Sequence, residues 1–121
     1  MKIRILDNSI RLRFSQTELT QLQTIGAIRK EVHFDGGTQF TYSLNTSDSD
    51  KELSADFTNN EMRVFISESK VKELVQTDLV GVENNDSGLK LLVEKDFKCL
   101  TERKEDETEL FENPLKNNPN C

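Results

Sequence analysis

Positive charge is scarce in this sequence. Lys and Arg total 16 against 22 Asp and Glu, for a net charge of −6. A nucleic-acid-binding domain needs a basic footprint, so general nucleic-acid binding is not expected. Apolar runs are short as well, and none approaches the roughly 20 residues of a membrane-spanning helix. The start, MKIRIL, alternates charged and apolar residues and lacks the apolar block of a signal peptide. The expectation is a cytoplasmic chain without membrane contact. Cysteine is nearly absent: Cys99 and Cys121 have no closely spaced partners for a zinc site and read as two free thiols. His33 is the only histidine, and both prolines fall within Asn113 to Cys121.

What is present suffices for one domain. Hydrophobic residues make up 34% of the 121 positions and charged residues 31%, enough for one modest core but not for order along the whole chain. Lys2 to Leu6 alternates, with Ile3 and Ile5 on one side and Lys2 and Arg4 on the other. Asp7-Asn8 suits a tight hairpin turn. Ile10 to Phe14 alternates again, with Arg11 and Arg13 outward. A two-residue loop sets Leu6 against Ser9, Ile5 against Ile10 and Ile3 against Leu12, which superposes the apolar faces.

Ser15 to Glu18 has the form of a capping box. Leu19, Leu22 and Ile25 supply the helix's apolar stripe, and Gly26 ends it. Strands are expected over Ala27 to Phe34 and Gln39 to Leu44, joined by the turn Asp35-Gly36-Gly37. On the second of these, Phe40, Tyr42 and Leu44 share a face. Asn45 to Asp50 reads as a polar linker. The pattern then restarts, with strands Leu53 to Thr58 and Met62 to Ile66 about the turn Asn59-Asn60. Ser67 caps a second helix with the stripe Val71, Leu74 and Val75. Strands Leu79 to Glu83 and Leu89 to Phe97 follow about Asp86-Ser87-Gly88.

The two halves align at a constant shift of 52 residues without gaps, which sets Asn8 on Asn60, Arg11 on Arg63, Ser15 on Ser67 and Gly36 on Gly88. Identity is sparse. The order of elements is the stronger signal for an internal ββαββ duplication, although hairpins and short helices are common enough to mimic one. The expected fold class is α+β: a mostly antiparallel sheet or barrel of about eight strands with two short helices. Residues 1–100 form the expected domain, with pseudo-repeats 1–45 and 53–97. Residues 101–121 form a tail, acidic first and then rich in Pro and Asn. The tail is either solvated or docked back through Leu110 and Phe111.

The opening M-K-I-R-I, then N-S-I-R-L-R, Ser15 with Glu18, V-E-K-D-F-K-C-L at Val93 to Leu100 and the F-x-N-P at Phe111 to Pro114 resemble a family of small uncharacterised bacterial proteins, largely from Bacteroidetes-type organisms. The resemblance covers nearly the whole chain. It implies that the N-terminal hairpin and the acidic tail belong to one ancestral design. It brings no activity, cofactor or catalytic residue.

The chemistry therefore has to come from the residues themselves. In the register above, Arg4 faces Arg11 and Lys2 faces Arg13, whereas Asp56 faces Arg63 in the second half. Like charges directly opposed on a sheet destabilise it by roughly 0.2–1 kcal/mol per pair unless compensated. Solvent and salt are one compensator. Carboxylates of the chain itself, Glu31, Glu94, Asp96 or the tail, are a second. A bound anion such as phosphate, or a partner's acidic segment, is a third, and Arg suits that geometry.

Other candidates are weaker. His33 shares a strand face with Arg29 and Glu31 but has no nucleophile tied to it by spacing. Glu94 and Asp96 form a carboxylate pair, a divalent-ion site or a solvated edge. Asp48 and Asp50 lack the other ligands of a calcium loop. Asp35-Gly36-Gly37 is too short for a phosphate loop. Tyr42 and the phenylalanines sit mostly at core spacing rather than on a stacking platform. No cofactor or metal is indicated.

Two functions remain. One is a non-catalytic binding or interaction module whose basic hairpin face, Lys2, Arg4, Arg11 and Arg13, takes an anionic ligand or an acidic protein segment. The other is a barrel enzyme acting on a phosphorylated small molecule, similar to triphosphate-tunnel enzymes in topology only. Their Glu-x-Glu-x-Lys signature is absent from the first strand, where Lys2 and Arg4 stand. An inward charged face favours the enzyme and an outward one the module, which is the preferred reading.

Overall fold

The computed structural model describes residues 1–98. Along them run β1 (Lys2–Leu6), β2 (Ser9–Phe14), α1 (Gln16–Thr24), β3 (Ala27–His33), β4 (Gln39–Ser47), β5 (Leu53–Thr58), β6 (Glu61–Ser67), α2 (Glu68–Gln76), β7 (Gly81–Asn84) and β8 (Lys90–Lys95). The expected readings of Cys99, Cys121 and the tail lie outside the described residues.

The strands form two four-stranded sheets, ordered β1-β2-β8-β7 (sheet A) and β3-β4-β6-β5 (sheet B). This is the eight-stranded α+β class expected, in its sheet form; the strands do not close into a barrel. Each sheet is mixed. The hairpins are antiparallel, and the central pairs β2–β8 and β4–β6 are parallel. The topology explains the mixture. Helix α1 carries the chain from sheet A to sheet B, and α2 carries it back, so each half gives one hairpin to each sheet. Neither half owns a core. Leu12, Phe14, Leu22, Ile28, Leu44, Leu53, Val64, Ile66, Leu74 and Val93, drawn from both halves, are fully buried in one cluster.

Local chemistry sets the element ends. The Ser15 side chain accepts from the Glu18 backbone N–H while the Glu18 carboxylate accepts from the Ser15 N–H, a complete capping box. The helix stops where Gly26 takes φ +93, a left-handed conformation that costs glycine little. Asn59 and Asn60 hold φ values of 51 and 60, the left-handed pair that a tight hairpin turn needs. Ser67 accepts from the Lys70 N–H and opens α2.

Several expectations are corrected. Asn45 to Ser47 is not linker: these residues extend β4, paired with Phe65, Ile66 and Ser67. Their polar side chains have local partners, Asn45 on the Val64 carbonyl and Thr46 on the Gly26 carbonyl. Ile25 is not part of the α1 stripe. As the C-cap residue it turns out to solvent and is 74% exposed, while Leu22 is buried. Val75 is likewise exposed beside buried Val71 and Leu74. Strand β7 begins at Gly81 rather than Leu79. Phe34, Phe57 and Phe97 are exposed rather than core, and Phe57 stacks on Phe40.

The gap-free shift holds only in part. Arg4↔Arg11 and Asp56↔Arg63 are pairs 52 residues apart, and Gln16–Thr24 and Glu68–Gln76 are helices 52 residues apart. The second hairpins break it: β3 and β4 have 7 and 9 residues, β7 and β8 only 4 and 6.

Candidate functional site

Parity puts the four cations on one face. In β1–β2, Lys2 pairs with Arg13, Ile3 with Leu12, Arg4 with Arg11, Ile5 with Ile10 and Leu6 with Ser9, the expected register throughout. Leu12 and Phe14 point into the core, so Arg11 and Arg13, and with them Lys2 and Arg4, point away from it. The face is outward and not an enclosed cavity.

The parallel partner strand supplies the compensation. Strand β8 lies beside β2 with Arg13 opposite Glu94 and Arg11 opposite Leu92. Leu91 and Val93 are buried, so Glu94 emerges on the cationic face. Its Oε1 accepts from Arg11 Nε at 2.6 Å and from Arg13 Nε at 3.0 Å, and the Arg11 guanidinium reaches the same oxygen with a second nitrogen. One carboxylate, with a side chain only 14% exposed, thus bridges two guanidiniums that are themselves about a third exposed. Lys2 Nζ lies 2.8 Å from Asp96 Oδ2. Glu94 and Asp96 each thereby meet cationic side chains rather than each other. Among the described residues no group of carboxylates, His and Cys could hold a metal.

Glu94 needs room, and Gly81 provides it. Gly81 pairs with Glu94 across β7–β8. A Cβ at Gly81 would stand 2.6 Å from the Val93 carbonyl oxygen and 2.7 Å from Glu94 Cβ. Glycine is therefore required here by close approach, not by its dihedral freedom. Sequence reading missed this residue; its only signal was a glycine inside the expected strand Leu79 to Glu83.

The equivalent rung of sheet B is neutral. Arg63 grips Asp56 with two hydrogen bonds, at 2.9 and 2.7 Å, and lies over the Phe65 ring at 5.4 Å. The hydrogen bond and charge of Asp56 hold the Arg63 guanidinium above its already high ordinary pKa. On the same outer face Glu31 takes Arg29 at 2.9 Å and His33 at 3.2 Å. His33 is thus an exposed partner of Glu31, and among the described residues no nucleophile is joined to it. Among the described residues, sheet A's outer face sets Lys2, Arg4, Arg11, Arg13 and Lys90 against Glu83, Glu94 and Asp96; sheet B's sets Arg29 and Arg63 against Glu31, Asp56 and Glu61. The two faces carry opposite balances.

Two other features lie away from the cations. A cavity of about 490 Å³ sits between the start of β5 and the β7–β8 turn, with Leu53 and Leu91 at its base and Asp50, Glu52, Glu83 and Asp86 around it. Its four carboxylates outnumber Lys51, the one cation of its lining, which disfavours an anion there. The Met1 ammonium is paired with Glu18, and Lys30 stands 3.5 Å from the same carboxylate. Burial pushes the Glu18 pKa up, but hydrogen bonds from the ammonium and the Ser15 N–H, with the charge of Lys30, outweigh it and leave the carboxyl below its ordinary value. The Met1 carbonyl accepts from the Tyr42 hydroxyl at 2.9 Å, so the first residue is fixed to both sheets.

No helix among the described residues is long and apolar enough to cross a membrane. Neither the curated proteins nor the solved structures contain a significant match to the chain. One family model does match, over residues 1–115, covering the cationic hairpin, Gly81 and Glu94, and the chain belongs to that family of unknown function, DUF7009.

Proposed function

We propose that this protein is a small non-catalytic binding module, and that the outer face of sheet A, with Lys2, Arg4, Arg11 and Arg13, receives an acidic protein segment. The observation that carries the proposal is the positive balance of that face among the described residues, Lys2, Arg4, Arg11, Arg13 and Lys90 against Glu83, Glu94 and Asp96, in a chain of net charge −6. The cations run in two rows along an open sheet rather than around a pocket. An extended carboxylate-bearing chain fits such a strip better than a single small anion, which gains most from an enclosed cluster of donors. The outward direction of the charges and the absence of barrel closure favour this reading over the phosphorylated-substrate enzyme. A cytoplasmic, bacterial setting and an origin by ββαββ duplication belong to the same proposal. The matching sheet orders, β1-β2-β8-β7 and β5-β6-β4-β3, support the duplication.

The test is calorimetric titration with a short poly-glutamate peptide at low salt. Lys2→Gln/Arg4→Gln leaves the Arg11–Glu94–Arg13 bridge in place, and is expected to weaken binding severalfold and flatten its salt dependence. Equal affinity for the variant and the parent protein would overturn the proposal.

A further inference from the structure

We infer that the protein forms a twofold dimer through the free edge of sheet B, with strand β3 pairing antiparallel to β3 of a second copy about Val32. This edge lies on the other sheet from the cationic hairpin, so the inference stands apart from the binding reading above.

Each sheet has two edge strands, β1 and β7 in sheet A, β3 and β5 in sheet B. An edge offers its N–H and C=O groups to any extended chain. Edges β5 and β7 are turned to each other: the Asn84 side chain donates to the Leu53 carbonyl at 2.6 Å. On β1 the charged residues are Lys2 and Arg4, both cationic, so a second copy would set like charges against each other. Strand β3 differs. Arg29 to His33 are all exposed, and among the described residues no strand lies beyond them.

The backbone limits the register. The Phe34 N–H donates to the Thr38 carbonyl and the Gly26 carbonyl accepts from the Thr46 N–H, so the even-numbered residues of this stretch bond to β4. The odd-numbered residues Arg29, Glu31 and His33 turn their N–H and C=O to the free edge. The Ala27 carbonyl is already taken by the Gln21 side chain. A twofold partner therefore matches odd residues with odd. An axis at Glu31 opposes it to its own copy, one at His33 sets Glu31 against Asp35, and one at Lys30 opposes two lysines. An axis at Val32 sets Glu31 against His33 and Arg29 against Asp35, twice each by symmetry. Each of these outer-face rungs opposes an acid to a base.

The inner face fits the same axis. Val32 meets Val32, and Lys30 comes opposite Phe34, with Val32 41% and Phe34 56% exposed in the single chain. Val32 pairs with Phe40 of β4, which stacks on Phe57, so the axis joins two apolar patches into one. The Lys30 ammonium stands near Glu18 of its own chain, which leaves its aliphatic stem to lie along Phe34 of the copy. The two sheets then run on as one across the axis, and the edge is covered.

Sedimentation of the full-length chain over a range of concentrations tests this. The parent protein is expected to pass from monomer to dimer as concentration rises. Val32→Lys, a change at a partly exposed site, is expected to stay monomeric with its thermal melt near the parent's. Two charge variants read the register. Glu31→Lys and His33→Glu each set like charges against each other across the axis, and each alone is expected to dimerise about tenfold more weakly than the parent. Mixing the two variants restores opposite signs on those rungs and is expected to recover parental dimerisation, as a dimer holding one chain of each. A parent protein that is monomeric at every concentration would overturn the inference. So would a dimer that Val32→Lys leaves intact, or a mixture that associates no more tightly than its two components.

Discussion

Gly81 and Glu94 face each other across β7–β8, and the space that a side chain at Gly81 would fill is occupied by the Cβ of Glu94 and the carbonyl of Val93. The absence of a side chain on one strand thereby fixes the carboxylate that bridges Arg11 and Arg13 on the next. Gly81→Ala is expected to destabilise the domain by about 1–3 kcal/mol, the usual range for forcing a methyl into packed backbone. Urea unfolding measures this, and a neutral substitution would mean that β7 stands off from β8.

Glu94→Gln removes the charge between two guanidiniums and leaves Arg4 opposed to Arg11 without that carboxylate. The expected loss is about 1–2 kcal/mol at low salt, reduced from the usual value for charged hydrogen bonds because both arginines are partly solvated. Added salt is expected to shrink the difference. Asp56→Asn, on the matching rung of sheet B, is the exposed comparison and is expected to cost less. Equal effects from the two substitutions would show that Glu94 holds no special place.

Glu18 gives the fold an acid-sensitive joint. Its folded pKa lies below the ordinary value of 4.5, so folding favours the ionised form. The unfolded chain then takes up protons first as pH falls. The stabilisation is complete above the ordinary value and is lost as pH drops through the depressed one. Stability measured from neutral pH downward is expected to separate the wild type from Glu18→Gln at pH 7 and to bring the two curves together in acid. A gap independent of pH would remove the ion pair with the Met1 ammonium from the account.

Asn59-Asn60 is a two-residue turn with both residues left-handed. Asn60→Gly is expected to stabilise the protein by a few tenths of a kcal/mol, since glycine adopts that conformation without steric cost. Asn60→Val is expected to destabilise it by 1 kcal/mol or more, about the price of a left-handed β-branched residue. Thermal melts of the pair check the turn, and the reverse order would place the hairpin in another register.

The first hairpin was legible in the sequence because its evidence is local. Alternation assigns Ile3, Ile5, Ile10 and Leu12 to one side, and the Asp7-Asn8 turn fixes which residues meet. The capped helices were legible for the same reason: Ser15 and Ser67 each sit just before a short amphipathic stretch. The parallel pairing of β2 with β8 was not. The paired residues Arg13 and Glu94 lie 81 positions apart, no turn joins their strands, and parallel neighbours leave no spacing signal. Glu94 could thus be named as one of several compensators but not chosen among them. The length of β4 was hidden because Asn45 and Thr46 satisfy their side-chain polar groups on backbone carbonyls next to the strand, where composition reads them as loop. Gly81 was hidden because the demand for it arises from a neighbouring strand rather than from its own backbone.

The most direct measurement is the arginine side-chain Nε–Hε spectrum of the full-length protein, recorded as poly-glutamate is added. The expected result is saturable shifts of the Arg4, Arg11 and Arg13 signals, with Arg29 and Arg63 on the opposite sheet unmoved. Uniform small shifts of all five, or none at all, would contradict a binding face on sheet A.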